Sequence, residues 1–149
     1  MLKNDRYNTT ILRELQNNAR ISNADLADKI GLSPSACLRR VQELENSGVI
    51  KRYKAVLDSE KLGNHFLAFV NIGLNEHTHA SQKAFEEAIK PIEEVKECHN
   101  VTGAFEYLLR VESHDIQSYK KLHTEILGEI PQVARITTHV VMESPKDER

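Results

Sequence analysis

Residues 31–50 read GLSPSACLRRVQELENSGVI, and the reading of this stretch decides the fold. Ser33 followed by Pro34 is a helix start. A serine hydroxyl accepts from a first-turn N–H, and the missing N–H of proline costs nothing at the first helical position. Cys37, Val41 and Leu44 recur at i, i+4 and i+7 with Leu38 beside them, so this stripe is expected to be buried. Gly48 ends the helix. The opposite stripe, Ser35, Arg39, Gln42 and Asn46, is polar, and Arg40 flanks it.

Working outward toward the N-terminus, Ser22 caps a short helix with Leu26, Ala27 and Ile30 facing inward, and Gly31 stops it. Asp5 caps a first helix carrying Ile11, Leu12 and Leu15 at helical spacing, closed by Asn17-Asn18-Ala19-Arg20. Two helices joined by a tight turn at Gly31-Leu32 have the spacing of a helix-turn-helix, whose second helix enters the DNA major groove. Past Gly48, residues 49–57 (VIKRYKAVL) are basic and β-branched, which suits a wing or a linking strand.

From residue 65 the period changes from helical to alternating. Phe66, Ala68, Val70, Ile72 and Leu74 fall on one face of a strand. Residues 78–90 read as a helix with Ala84, Phe85, Ala88 and Ile89 inward, stopped by Pro91. Residues 92–101 read as a strand, Thr102-Gly103-Ala104 as a turn, and residues 106–112 as a returning strand with Tyr107, Leu109 and Val111 on one face. Asp115 caps a helix bearing Ile116, Tyr119, His123 and Ile126, ended by Gly128 and Pro131, and residues 133–142 form a last strand. The order β-α-β-β-α-β is the ferredoxin-like unit. The fold class is therefore α+β. A helix-turn-helix domain spans residues 1–50, a wing or hinge with a linker residues 51–62, and a ferredoxin-like domain residues 63–149, with a polar tail.

Composition bounds the function. The 149 residues are 40% hydrophobic and 28% charged, an ordinary globular balance with enough chain to bury a core without staples. No apolar run approaches the ~18 residues of a membrane span and residues 1–10 hold no signal-peptide core, so a cytoplasmic, nucleoid-associated location and no membrane partner are expected. Net charge is −2, but residues 1–60 hold 10 Lys+Arg against 8 Asp+Glu and residues 61–149 hold 10 against 14. The first part tolerates a polyanion better than the second. Cys37 and Cys98 lack CxxC partners, so neither zinc nor a disulfide framework is indicated.

Arginine suits either a phosphate or the O6/N7 edge of guanine, because its planar fork donates two parallel bonds. Arg39 and Arg40 are both read as DNA contacts, and which meets base and which meets phosphate stays open. The plainer alternative pairs them with Glu43 at i+4 and i+3. Ser33 and Ser35 sit where free N–H groups and the helix dipole favour a phosphate. His77 and His79 beside Glu76 lack a third ligand and read as surface residues. Cys98 and His99 point to opposite faces of a strand and cannot form a dyad. With no phosphate-cradling glycine loop and no GxSxG, an enzyme, a metal site or a resident cofactor has no constellation behind it.

The stretch ISNADLADKIGLSPSACLRRVQELENSGVIKRYKAVLD, with VTGAFEYLLRV further on, resembles the Lrp/AsnC "feast/famine" family of amino-acid-responsive transcription regulators, from about Asp5 to Met142. The resemblance implies a winged helix-turn-helix joined by a hinge to a ferredoxin-like domain that oligomerises and binds a small effector. It implies double-stranded DNA contacts by Ser33, Pro34, Ser35, Arg39 and Arg40, with Lys51 and Arg52 as wing or hinge contacts. It also implies an amino-acid effector at Thr102, Gly103, Ala104, Phe105, Glu106 and Tyr107, completed by Thr137 and Thr138. The family's Gly-x-x-Asp-Tyr loop here carries Glu106 for the aspartate, one methylene longer. Its Pro-Gly-Val is here Pro131-Gln132-Val133. Dimers formed through the sheets and assembled into tetramers or octamers are implied, with the effector between dimers.

Two rival readings stand beside this one. A small-molecule-binding or enzymatic ferredoxin-like protein could use its helical segment only for assembly, but that helix would then carry an apolar outer stripe where Ser35, Arg39 and Gln42 lie. A nucleoid-organising protein would bind DNA without an effector.

Overall fold

Three short helices open the chain, and each begins on a side-chain cap. In α1 (Arg6–Asn17) the Asp5 carboxylate accepts from the Asn8 N–H, in α2 (Asn23–Ile30) the Ser22 hydroxyl accepts from Asp25, and in α3 (Pro34–Asn46) the Ser33 hydroxyl accepts from Ala36. Each cap satisfies one of the first-turn donors that have no partner within the helix. Gly31 ends α2 at φ 72°, a left-handed conformation that glycine adopts without strain. The Leu32 N–H closes the turn on the Ala27 carbonyl at 3.0 Å and the Gly31 N–H on Asp28 at 3.3 Å. Ile11, Leu26, Ala27, Cys37 and Leu44 form the buried centre, flanked by half-buried Leu12, Leu15, Ile30 and Val41. Leu38, expected beside that stripe, points outward and is 46% exposed, because it lies about 100° around the helix from Cys37.

The computed structural model describes residues 5–147. The first four residues of the expected helix-turn-helix segment and the last two of the polar tail lie outside the described residues. The chain divides into two units between Ala55 and Val56, inside the stretch expected to be a wing or hinge. That stretch is not a strand: residues 51–58 are irregular, exposed and without a β partner. β-branched residues favour an extended backbone, but a strand also needs a neighbour to take its N–H and C=O groups.

The second unit is a four-stranded antiparallel sheet in the order β2-β3-β1-β4, built from β1 (Phe66–Leu74), β2 (Val95–Asn100), β3 (Tyr107–Ser113) and β4 (Val133–Val140). The alternation in β1 and β3 holds: Phe66, Ala68, Val70, Ile72, Leu74, Tyr107, Leu109 and Val111 are all buried on the helix side. Phe85 and Ile89 of α4 (His79–Ile89) close over them, as do Tyr119 of α5 (Ile116–Lys121) and Leu122, Leu127 and Ile130 beyond it. Ala84, expected to face inward, is exposed, and Ser81 takes the buried place one turn before Phe85. β2 begins three residues later and ends one residue earlier than expected, and β4 stops at Val140.

α5 departs most from the sequence reading. Asp115 caps it through the Ser118 N–H at 2.8 Å, but Ile116 is 61% and Ile126 42% exposed. The helix widens into a π turn over Leu122–Ile126. A π turn advances the buried position by five residues, so Leu127 follows Leu122 inward and Ile126 is rotated out. At Pro131-Gln132-Val133 the glycine of the family pattern is not required. No described non-glycine residue has positive φ, so Gln132 sits in ordinary backbone.

Candidate nucleic-acid interface and ligand site

On α3, Pro34 occupies the first turn, and its carbonyl accepts from the Asn23 amide at 2.8 Å, tying the start of α2 to the start of α3. Ser33, Pro34, Ser35, Arg39, Gln42 and Asn46 are exposed. The Arg39 guanidinium makes no hydrogen bond or ion pair among the described residues, and neither arginine pairs with Glu43. Pro34 has no N–H and those of Ala36 and Cys37 are taken by Ser33, so among the described residues the Ser35 N–H is the first-turn donor left free; with the two serine hydroxyls and Arg39 it makes an arrangement suited to phosphates and base edges.

Arg40 is placed differently. Its Nη1 donates to both Asp5 carboxylate oxygens, at 3.0 and 2.8 Å, and to Asn8 Oδ1 at 3.1 Å. The guanidinium lies over the Tyr7 ring, 5.1 Å from its centroid. The Asn8 N–H and the Arg40 guanidinium together hold the Asp5 carboxyl below its ordinary value. The sequence offered Asp5 only as a cap; its second role spans 35 residues and left no local signal.

Lys51 and Arg52 are exposed on the irregular segment after α3. The Tyr53 hydroxyl donates to Glu45 Oε1 at 2.8 Å, which ties this segment to the last turns of α3. Burial first, and then Glu45, push the Tyr53 hydroxyl up to about 12.

The β2–β3 turn is closed by the Val101 N–H on the Glu106 carbonyl at 2.9 Å, with Gly103 at φ 117° where a side chain would be strained. Glu106 is held at both oxygens. Oε2 accepts the Leu74 N–H at 2.8 Å, and Oε1 lies 2.8 Å from His77 Nδ1. Phe105 lies under the Arg135 guanidinium at 4.9 Å, and Arg135 Nη2 donates to the Ala104 carbonyl at 3.1 Å.

The expected ligand residues do not all meet. Thr102, Gly103, Ala104, Phe105 and Glu106 form one end of the sheet together with His77 and Arg135. Tyr107 is 1% exposed and faces the helices, packed on Phe85 with its hydroxyl donating to Glu86 at 2.6 Å. Thr138 faces the same way and hydrogen-bonds the Tyr119 hydroxyl. Thr137 is one step along β4 and so lies on the open face, opposite Asn71. His77 and Arg135 were missed by sequence reasoning. His77 reads from the sequence as a surface residue, and nothing local links it to Glu106, 29 positions on. Arg135 was legible, since it alternates with Thr137 on the same face of β4.

Among the described residues of the second unit, no helix packs on the other face of the sheet. It carries Leu67, Phe69, Arg110, Glu112 and Glu97, with Arg110 bonded to both glutamates and Ser59 donating to Glu112 at 2.8 Å. A groove of about 750 Å³ lies there, lined by Leu67, Phe69, Val141, Met142 and residues 143–147. Among the described residues no helix is long and apolar enough to cross a membrane.

These features have counterparts in known proteins. A family model described as winged helix-turn-helix DNA-binding matches residues 4–51, and one described as Lrp/AsnC ligand binding domain matches residues 67–149. The chain is 43% identical over 142 residues to the leucine-responsive regulatory proteins of Klebsiella pneumoniae and of Escherichia coli K12, covering 95% of this chain and 87% of each relative. A transcriptional regulator of Neisseria meningitidis, solved as an L-Met complex, superimposes with a TM-score of 0.92 at 28% identity, covering 96% of this chain and 92% of that one. An AsnC family transcriptional regulator of Agrobacterium tumefaciens gives 0.89 at 36% identity, covering 96% and 93%. A DNA-binding helical unit and a ligand-binding sheet unit, matched along nearly the whole length of such relatives, place this chain in the Lrp/AsnC family of transcription regulators.

Proposed function

We propose that α3 reads the DNA major groove through Ser35, Arg39 and Gln42. Ser33 and Pro34 set the helix start against a phosphate, and Lys51 and Arg52 add backbone contacts. The observation that carries this reading is the outward stripe of α3, polar and exposed, with the Arg39 guanidinium uncommitted. One such helix covers few base pairs, so a dimer spanning half-sites about 34 Å apart is needed. The uncovered sheet face is the surface through which two copies would join, and tetramers or octamers of those dimers would gain avidity without new contacts. The protein acts in the cytoplasm, on the nucleoid, as a regulator rather than as an enzyme.

The effector is a free amino acid, held at the end of the sheet between dimers. Residues 102–106 supply the turn, Glu106 answers an ammonium and Arg135 a carboxylate. Thr137 lines the open face nearby, whereas Tyr107 and Thr138 support the site from the helix side. Such a ligand shifts assembly only by binding one assembly more tightly than another.

A second reading is favoured by one specific observation. Both Glu106 oxygens are already engaged, which suits a DNA-organising protein with no amino-acid response. One experiment separates the two: binding to a fragment of the protein's own promoter region, at two salt concentrations, with and without a panel of free amino acids. Salt-sensitive binding that moves with one amino acid supports the regulator. Salt-sensitive binding indifferent to all of them supports the organiser, and salt-indifferent binding removes the DNA reading.

A further inference from the structure

We propose that Arg40 is a positioning residue rather than a DNA contact: it clasps the start of α1 and thereby sets the angle at which α3 presents Arg39. The proposal rests on the reading of α3 as the DNA-reading helix. Adjacent residues on a helix point about 100° apart, so Arg39 and Arg40 do not share a groove-facing stripe. Arg39 is exposed and uncommitted. Arg40 has only 24% of its side chain exposed, with its charge set against the Asp5 carboxylate at 2.8 Å and its flat face over Tyr7. An arginine neutralised in this way offers little to a phosphate.

The clasp also has a mechanical reason. Among the described residues Ile11 is the one fully buried apolar side chain that α1 brings to the centre of the helical unit, with Leu12 and Leu15 half-buried beside it, so the clasp adds a polar tie to a modest apolar contact between α1 and α3. Asp5 serves both helices at once. One oxygen caps α1 through the Asn8 N–H at 3.0 Å, and the same carboxylate holds α3 through Arg40. Asn8, 4% exposed, adds its side-chain oxygen to the same guanidinium. Movement of α1 would therefore tilt the helix that carries Arg39.

The test uses the full chain and five variants: Arg39→Ala, Arg40→Ala, Arg40→Lys, Asp5→Asn, and Asp5→Asn combined with Arg40→Ala. Melting temperature is measured for each, with binding to its promoter duplex and to a scrambled duplex across a salt series. Asp5→Asn is the informative change. Asparagine still caps a helix, and losing a negative charge should by simple electrostatics strengthen DNA binding. The clasp requires the opposite: promoter binding several-fold weaker, a reduced promoter-to-scrambled ratio and an unchanged salt slope. Arg40→Ala should do the same and lower the melting temperature by roughly 4 °C, with Arg40→Lys recovering part of the ratio. The double variant should melt no lower than the worse single one, because both remove one contact. Arg39→Ala should weaken promoter binding with no change in melting.

Three results overturn the proposal. A salt slope lower by about 0.9 in Arg40→Ala, with melting unchanged, makes Arg40 a phosphate contact. Additive losses of melting temperature in the double variant remove the clasp. Tighter promoter binding by Asp5→Asn leaves only electrostatics. Failure of the underlying reading looks different: the unaltered protein then shows no salt-dependent DNA binding at all.

Discussion

The helical unit and the sheet unit each hold an expected site residue with a carboxylate, but the two contacts carry different weight. In the sheet unit Glu106 bridges the Leu74 N–H and His77 beside a core of fourteen buried residues, so the β2–β3 turn stays placed whether or not His77 is there. In the helical unit Asp5 holds Arg40 beside a smaller core, five buried residues with seven half-buried ones packed on it, and there the clasp proposed above sets how two helices meet. A polar contact sets geometry where apolar packing is thin and only trims it where packing is thick.

The largest effect that tests this contrast is a cavity in the thick core. Phe85→Ala should destabilise the sheet unit by about 3–5 kcal/mol, read as a lower urea midpoint. A loss under about 1 kcal/mol would mean that the core is not the dominant support there. Next comes the cap of α3, the helix proposed to read DNA. Ser33→Ala should cost about 1 kcal/mol and weaken promoter binding. If hydrogen exchange in the first turn of α3 is unaltered, the cap is not what starts that helix.

The pH dependence of Asp5 gives a smaller effect. Its folded carboxyl is held below the ordinary value of 3.8, so the folded state favours the charged form. Its contribution is full above that ordinary value and is lost as pH falls through the lower folded one. Melting of the helical unit should decline in that acid range, and Asp5→Asn should flatten the decline. An equally steep decline in the variant would assign it to another carboxylate of that unit held low, Glu14. The smallest effect on stability belongs to His77→Ala, within about 0.5 kcal/mol because the side chain is 77% exposed. By freeing Glu106 Oε1 it should tighten amino-acid binding in calorimetry; an unchanged Kd would show that His77 does not compete with the ligand.

Much of this was legible because it is local. The caps at Asp5, Ser22, Ser33 and Asp115, the Gly31 turn and the alternation of β1 and β3 all come from contacts within a few residues, where the backbone sets the geometry. The α5 stripe failed for a related reason. A constant 3.6 period was assumed through Leu122–Ile126, and a π turn has a longer one. The expected ligand set was only partly gathered, since adjacent strand residues such as Thr137 and Thr138 necessarily face opposite sides.

By itself the sequence determined the order of the main helices and strands, though not that residues 51–58 lack a strand or that α5 runs into a π turn, together with the polar outer stripe of α3 and the exposed turn at Gly103. Hydrogen bonding over three to five residues and the period of the apolar positions suffice for those. Tertiary structure alone decided that Arg39 is uncommitted while Arg40 is spent on Asp5, and that Glu106 already has two partners. It also brought Arg135 over Phe105. Each of these joins residues 29 to 35 positions apart, or follows from such a joining, as with Arg135 and Ala104 at 31 and Glu106 and His77 at 29. At that separation only the packed fold brings charges within reach of one another.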